Sequence, residues 1–285
     1  MFSNLGRLRH IVCKREKQKP GCREKVYLFV ARALLNSKLA MNRKTKMLLG
    51  LFAVLTLLAC SSSARAYEEI TVTNGATIRG TVKVEGTIPK LPNLQVSKYK
   101  EVCKDIPNES LMVGPNHGLR YAVITLEGIT KGRAVEKEVV HELDNAKCRF
   151  VPHVQSASVG QFVLLKNTDP ILHTAHAYFT NGQPQFNVGL YPGRVSRKPL
   201  ITPGVVKILC EVHPWMTAYI VVTDHPYSSV TDAYGEYLMS EVPAGVYRLK
   251  VWHESLGTEE KQLEVKAGGS HNVDFVFNPK PGVKK

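Results

Sequence analysis

At 285 residues, 44% of them hydrophobic and 22% charged, the chain is long enough for one or two domains with proper cores, which excludes a wholly disordered protein. Its formal net charge of +14 sits at one end: residues 1–66 carry 14 Lys/Arg against 2 Asp/Glu, leaving 24 against 22 for residues 67–285. The nearly neutral remainder lacks the electrostatic footprint of a nucleic-acid partner.

Residues 41–66, MNRKTKMLLGLFAVLTLLACSSSARA, read as a secretory signal peptide. Arg43, Lys44 and Lys46 lead into the apolar run 47–59, and small residues follow, ending in Ala64-Arg65-Ala66. The run is too short to be an obvious membrane span. Residues 1–40 precede a signal that is complete from Met41 and read as an over-extended start or a long basic leader. "LLAC", ending at Cys60, is similar to the lipobox of bacterial lipoproteins, although leucine directly before Ala59 is less usual there. Lipid attachment at Cys60 would anchor the mature chain to a membrane; cleavage after Ala66, the favoured route, would release it. Both place the protein outside the cytoplasm, in the periplasm or beyond.

Removal of residues 1–66 leaves Cys103, Cys148 and Cys210. In an oxidising compartment two of three can pair. Cys103 and Cys148 are the natural pair, and Cys210 is left over, either an inert buried thiol or a ligand.

From residue 70 onward, short apolar segments of period two are punctuated by Gly, Pro, Asn and Asp, the pattern of an all-β protein. Ile78, Val82 and Val84 alternate with polar neighbours, as do Ala122, Ile124 and Leu126. Further strands are predicted over 159–166, 204–211 and 217–223, building a Greek-key sandwich or barrel. Residues 181–203, with three prolines before the last turn, read as mostly loop with one short strand at most. A change at Asp224-His225-Pro226 divides the mature chain into 67–223, with an N-terminal β extension over 70–149, and 224–285. In the second part Thr231-Asp232, Gly235, Tyr237, Val242-Pro243, Gly245 and Tyr247 resemble the carboxypeptidase regulatory-like modules, small transthyretin-like β-sandwiches. That resemblance implies a structural or binding appendage without catalysis.

"CEVHPWM", residues 210–216, places a thiol, an imidazole and a thioether three residues apart. A soft thiolate, imidazoles and a long axial thioether together favour copper in a mononuclear electron-transfer site. The set lacks one histidine. His173 and His176 in "KNTDPILHTAHAYF" are the candidates, with His153 more remote. A zinc site gains little from Met216, covalent haem needs a second cysteine near Cys210, and no protease signature surrounds a Cys210/His173 pair.

Here the sequence resembles the cupredoxins, most closely the plastocyanin/amicyanin type, whose Cys-x-x-His-Pro-aromatic-Met loop "CEVHPWM" matches in kind. The resemblance is strong over about 150–222. It implies a type 1 copper ion held by His173, Cys210, His213 and Met216, with His176 as the alternative ligand and His213 as the more exposed imidazole. Thr174 departs from the asparagine common after the first histidine, which puts the rigidity of the ligand loop in doubt. The expected function is one-electron transfer by a non-enzymatic carrier. Its partner would be a redox protein such as a cytochrome c or a quinoprotein dehydrogenase, docked on an apolar rim that includes Pro214 and Trp215. The rival readings are a periplasmic copper carrier and a non-redox binding or adhesion protein.

Overall fold

The computed structural model describes residues 67–279, and the expected leader, signal peptide, Met41 start and Cys60 lipidation point lie outside the described residues. The described chain is all-β, arranged as two bodies with separate cores. Among the described residues no helix is long and apolar enough to cross a membrane.

The first body pairs a five-stranded sheet with a four-stranded one. The larger runs in the order Pro184–Leu190, His173–Phe179, Gly204–Leu209, Thr217–Thr223, Val154–Ser158. The smaller runs Val195–Pro199, Phe162–Asn167, Val140–Ala146, Arg149–Val151. Period two decides what each strand buries. In His173–Phe179 the residues His173, Ala175, Ala177 and Phe179 face the core while Thr174, His176 and Tyr178 face outward. In Gly204–Leu209 the inward set is Val206 and Ile208, and the same alternation carries Cys210 inside. Residues 181–203 therefore hold two strands where one at most was expected. The turn around Pro192 separates them, and the second lies at a sheet edge with alternate exposure, so its pattern is weak in sequence.

The second body corrects the expected division at 223/224. Residues 224–277 do not close a core on their own. Ser228–Val230, Val123–Glu127, Gly245–His253 and Gly257–Val265 form one sheet, and Glu236–Val242, Ala76–Val84 and Ser270–Asn272 the other, with Phe275–Phe277 also paired on Ala76–Val84. Ala76, Ile78, Val82, Val84, Ile124 and Leu126 thus complete the core of Tyr237, Leu249, Val251 and Phe275. The strands 76–84 and 123–127, expected to extend the first body, belong here, because alternation marks a half-buried strand but not its partner.

The residues that resemble a regulatory-like module act structurally. The Thr231 hydroxyl donates to the Leu119 carbonyl (2.6 Å) and accepts the Ala122 N–H (2.9 Å). Asp232 accepts the Tyr234 and Glu236 N–H groups, and Gly235 takes the positive φ (76°) that the turn demands. Tyr121, Val123, Val154, Tyr219 and Val221, with Trp252 against them, form a third cluster between the two bodies.

Candidate metal centre

The structure joins Cys103 to Cys148 and leaves Cys210 as a buried free thiol. Cys210 follows the strand Gly204–Leu209, and the loop to Thr217 is closed by two backbone bonds: Met216 N–H to the His213 carbonyl (2.9 Å) and Cys210 N–H to the Met216 carbonyl (3.3 Å). This tight return holds Cys210, His213 and Met216 within one short turn, all three essentially inaccessible to solvent.

His173 arrives from the neighbouring strand by a link that Asn167 shapes. The Asn167 side-chain amide donates to the Ile171 (2.8 Å) and Leu190 (2.7 Å) carbonyls, and its oxygen accepts the Asp169 N–H (3.1 Å). Asp169 is thereby turned inward. Its carboxylate accepts the Lys147 (2.6 Å) and Cys148 (2.7 Å) N–H groups and lies 3.0 Å from His173 Nε2. A carboxylate can only accept, so the Nε2 proton belongs to this bond and Nδ1 faces the site.

Three donor atoms converge. Cys210 Sγ lies 3.9 Å from His173 Nδ1 and 3.6 Å from His213 Nδ1, and the two Nδ1 atoms are 2.9 Å apart. His213 Nε2 is buried with no hydrogen-bond partner. Asp169 and His173 also lie close to Cys148, but that sulfur is in the disulfide, so this second grouping is no ligand set.

The hydrogen bonds around Cys210 lower its thiol pKa. Burial alone would raise the Cys210 pKa, yet the bonds from His173, the Thr174 N–H (3.3 Å) and the Thr174 hydroxyl (3.8 Å) bring it below the ordinary thiol value. For His173, burial is outweighed by Asp169 and Cys210, and its pKa is raised. For Asp169, burial is outweighed by His173 and the two backbone donors, and its pKa is lowered. His213 is pushed down to about 4, first by burial, then by the positive charges of His173 and Lys98, with Asp169 opposing. The proton of the imidazole pair thus rests on His173.

Thr174 supplies the rigidity its departure from asparagine put in doubt. Its hydroxyl accepts the Glu211 N–H at 2.8 Å, tying the strand of His173 to the loop of Cys210. His176, the alternative ligand, sits on the opposite face of the strand and bonds Glu211 (2.8 Å) at the surface; three residues along a strand is odd parity. His153 lies apart, hydrogen-bonded to Glu254 and to the Thr217 carbonyl. Pro214 is exposed, while Trp215 is half-buried, 5.1 Å from His213, and donates to the Cys148 carbonyl (3.2 Å).

The expected exposed imidazole is a correction: His213 is 0% exposed, with the Tyr99 ring (5.4 Å) and the Trp215 ring (5.1 Å) packed against it. Asp169 and Tyr99 were not singled out in sequence. The spacing of four from His173 was the one signal in the sequence that could have found Asp169.

An all-β sandwich whose sheet ends gather a thiol, two imidazoles and a thioether defines a class: a β-protein with a buried soft-donor centre of a kind that suits copper. No family model matches the chain, and no curated protein does. Among solved structures, the copper-containing nitrite reductase from Thermus scotoductus SA-01 is similar at 25% identity and TM-score 0.28, over 31% of this chain and 23% of that one. The purple cupredoxin from Nitrosopumilus maritimus matches at 23% identity and TM-score 0.27, over 29% of this chain and 99% of its own. A reduced point variant of amicyanin matches at 19% identity and TM-score 0.28, over 30% of this chain and 82% of its own. The chain thus spans about a quarter of the nitrite reductase.

Proposed function

We propose that this chain is an exported type 1 copper protein that carries single electrons between periplasmic or membrane-associated redox proteins. The observation that carries the reading is the convergence of Cys210 Sγ with the Nδ1 atoms of His173 and His213, 2.9 to 3.9 Å apart, in a buried turn closed by Met216. A single bound copper ion would supply the Cu(II)/Cu(I) couple.

The chain's own residues prepare that chemistry. Cys210, His173 and His213 would hold the ion as the equatorial set, with Met216 as the axial thioether. Asp169 keeps the Nε2 proton of His173 and fixes the ring. The Thr174 N–H and hydroxyl stabilise the Cys210 thiolate and tie its loop to the strand of His173. The packed surroundings exclude water and resist rearrangement of the donors, which suits electron exchange at constant geometry. Burial of every donor also opposes ready release of a metal, which disfavours a copper carrier. The second body is read as a carboxypeptidase regulatory-like module completed by the strands 76–84 and 123–127, with a structural role. The partner fits the class of a cytochrome c or a quinoprotein dehydrogenase.

The test is an absorption and EPR spectrum of the Cu(II)-loaded 67–285 protein with His173→Ala and His176→Ala variants. The expected result is stoichiometric copper with an intense visible thiolate charge-transfer band, lost in His173→Ala and kept in His176→Ala. An unchanged band in His173→Ala refutes the ligand set. Wild type without stoichiometric copper refutes the reading and leaves a non-redox binding protein.

A further inference from the structure

Burial of His213 raises the question of what meets a partner at this end of the molecule. Besides Trp215, the ring against His213 is Tyr99, carried on the loop 94–106, which is pinned at both ends. The Leu94 N–H donates to the Ile106 carbonyl (2.8 Å), and Cys103 is bonded to Cys148, whose own N–H holds Asp169. Leu94, Val96 and Val102 pack on the core cluster that contains Cys210 and Met216. A compact loop with its ends together and its own side chains packed beneath it is a defined surface element.

At its tip the Tyr99 carbonyl accepts the N–H groups of Val102 (3.0 Å) and Cys103 (2.7 Å), and Tyr99 itself takes φ 53°. A bulky non-glycine residue pays for that backbone only where the surrounding structure holds it. The result is a ring set edge-on against His213, with centroids 5.4 Å apart and planes at 66°. The same side chain is 43% exposed. Tyr99 therefore reaches from the buried imidazole to water.

The surroundings are basic. Exposed Lys98 and Lys100 flank Tyr99, exposed Lys104 follows Cys103, and exposed Lys147 precedes Cys148, against Glu101 and Asp105 in the same loop. None of these four lysine ammonium groups is in a salt bridge among the described residues. Exposed Pro214, beside His213, and exposed Leu172, beside His173, add apolar area at the same end.

We infer that Tyr99 and its flanking lysines, in place of the imidazole edge of His213, form the face on which the electron-exchange partner docks, and that this partner presents an acidic surface. The inference rests on the copper reading. The partner's oxidised cofactor gains the one electron that the reduced centre loses, and no bond or proton changes hands. Unpaired lysines around an aromatic contact steer an anionic surface toward it, an effect of 10-fold or more on association that falls with salt.

Two measurements on the 67–285 protein test it. In the metal-free protein, diethylpyrocarbonate labelling mapped by mass spectrometry should modify His213 far more slowly than half-exposed His176, and Tyr99→Ala should speed labelling of His213 about 10-fold. Labelling of wild-type His213 as fast as His176 overturns the cover. In the reduced copper-loaded protein, oxidation by ferricyanide should slow as salt rises, oxidation by the tris-phenanthroline cobalt(III) cation should not, and a Lys98→Glu/Lys100→Glu variant with an unchanged visible band should lower the ferricyanide rate about 10-fold. A ferricyanide rate and salt slope unchanged in that variant overturn the docking face. Failure of the wild type to show the visible band would sink the copper reading, while His213 labelling would still report on the loop.

Discussion

Asp169 and His173, four residues apart, form a buried pair in which the carboxylate holds the Nε2 proton at 3.0 Å while the same carboxylate takes the N–H groups of Lys147 and Cys148. The imidazole is thus oriented by a group that the disulfide-bearing strand end also anchors. Asp169→Asn replaces one acceptor oxygen by an NH₂ that must face either the His173 N–H or a backbone N–H, donor against donor. The variant should lose about 10- to 100-fold in copper affinity and about 1–3 kcal/mol in metal-free stability. Chelator competition and urea unfolding measure the two; wild-type affinity in Asp169→Asn would show that packing alone orients His173.

Thr174→Val keeps the shape but removes the hydroxyl that accepts the Glu211 N–H and lies near Cys210 Sγ. Stability should fall by about 1 kcal/mol, and the Cys210 thiol pKa should rise. Thiolate absorbance near 240 nm in the metal-free protein, followed against pH, reads the shift.

Acid should act through His213. Its folded-state pKa of about 4 lies below the ordinary 6.5, so the unfolded chain binds a proton first as pH falls, and the metal-free protein loses stability between about 6.5 and 4. His173 has the opposite sign: its raised pKa contributes stability that is complete below 6.5 and fades as pH rises through the folded value. Urea midpoints from pH 4 to 8 should show a shallower acid loss in His213→Gln than in wild type, and a smaller decline above 6.5 in His173→Gln. Parallel curves for all three proteins would contradict both assignments.

Residues 224–285 should not fold alone. Without 76–84 and 123–127 the second body lacks a central strand of one sheet and an interior strand of the other. The fragment should show an unfolded far-UV circular dichroism spectrum, and a cooperative thermal transition would restore the boundary at 223/224.

The turn 210–216 was legible because its donor spacing is local. Cys210, His213 and Met216 need only a short loop, and their spacing stands in the chain. The all-β class was equally legible, since period two at Ile78, Val82 and Val84 or Ala122, Ile124 and Leu126 is a property of each strand by itself. Which of His173 and His176 faces the core follows from strand parity: His173 shares the inward face with Ala175, Ala177 and Phe179, and His176 points out to Glu211.

The sequence by itself thus determined the Cys-x-x-His-x-x-Met spacing and the strand pattern, both carried by neighbouring residues, and it offered Cys103 and Cys148 as a pair that the structure joins. Only the tertiary structure decided that Asp169 orients His173, that Tyr99 covers His213, and that the strands 76–84 and 123–127 complete the C-terminal body. The last two join segments distant along the chain, and Asp169 is turned onto its near neighbour His173 by the distant Lys147 and Cys148 N–H groups; alternation or spacing within one segment carries no record of which other segment will bury its face.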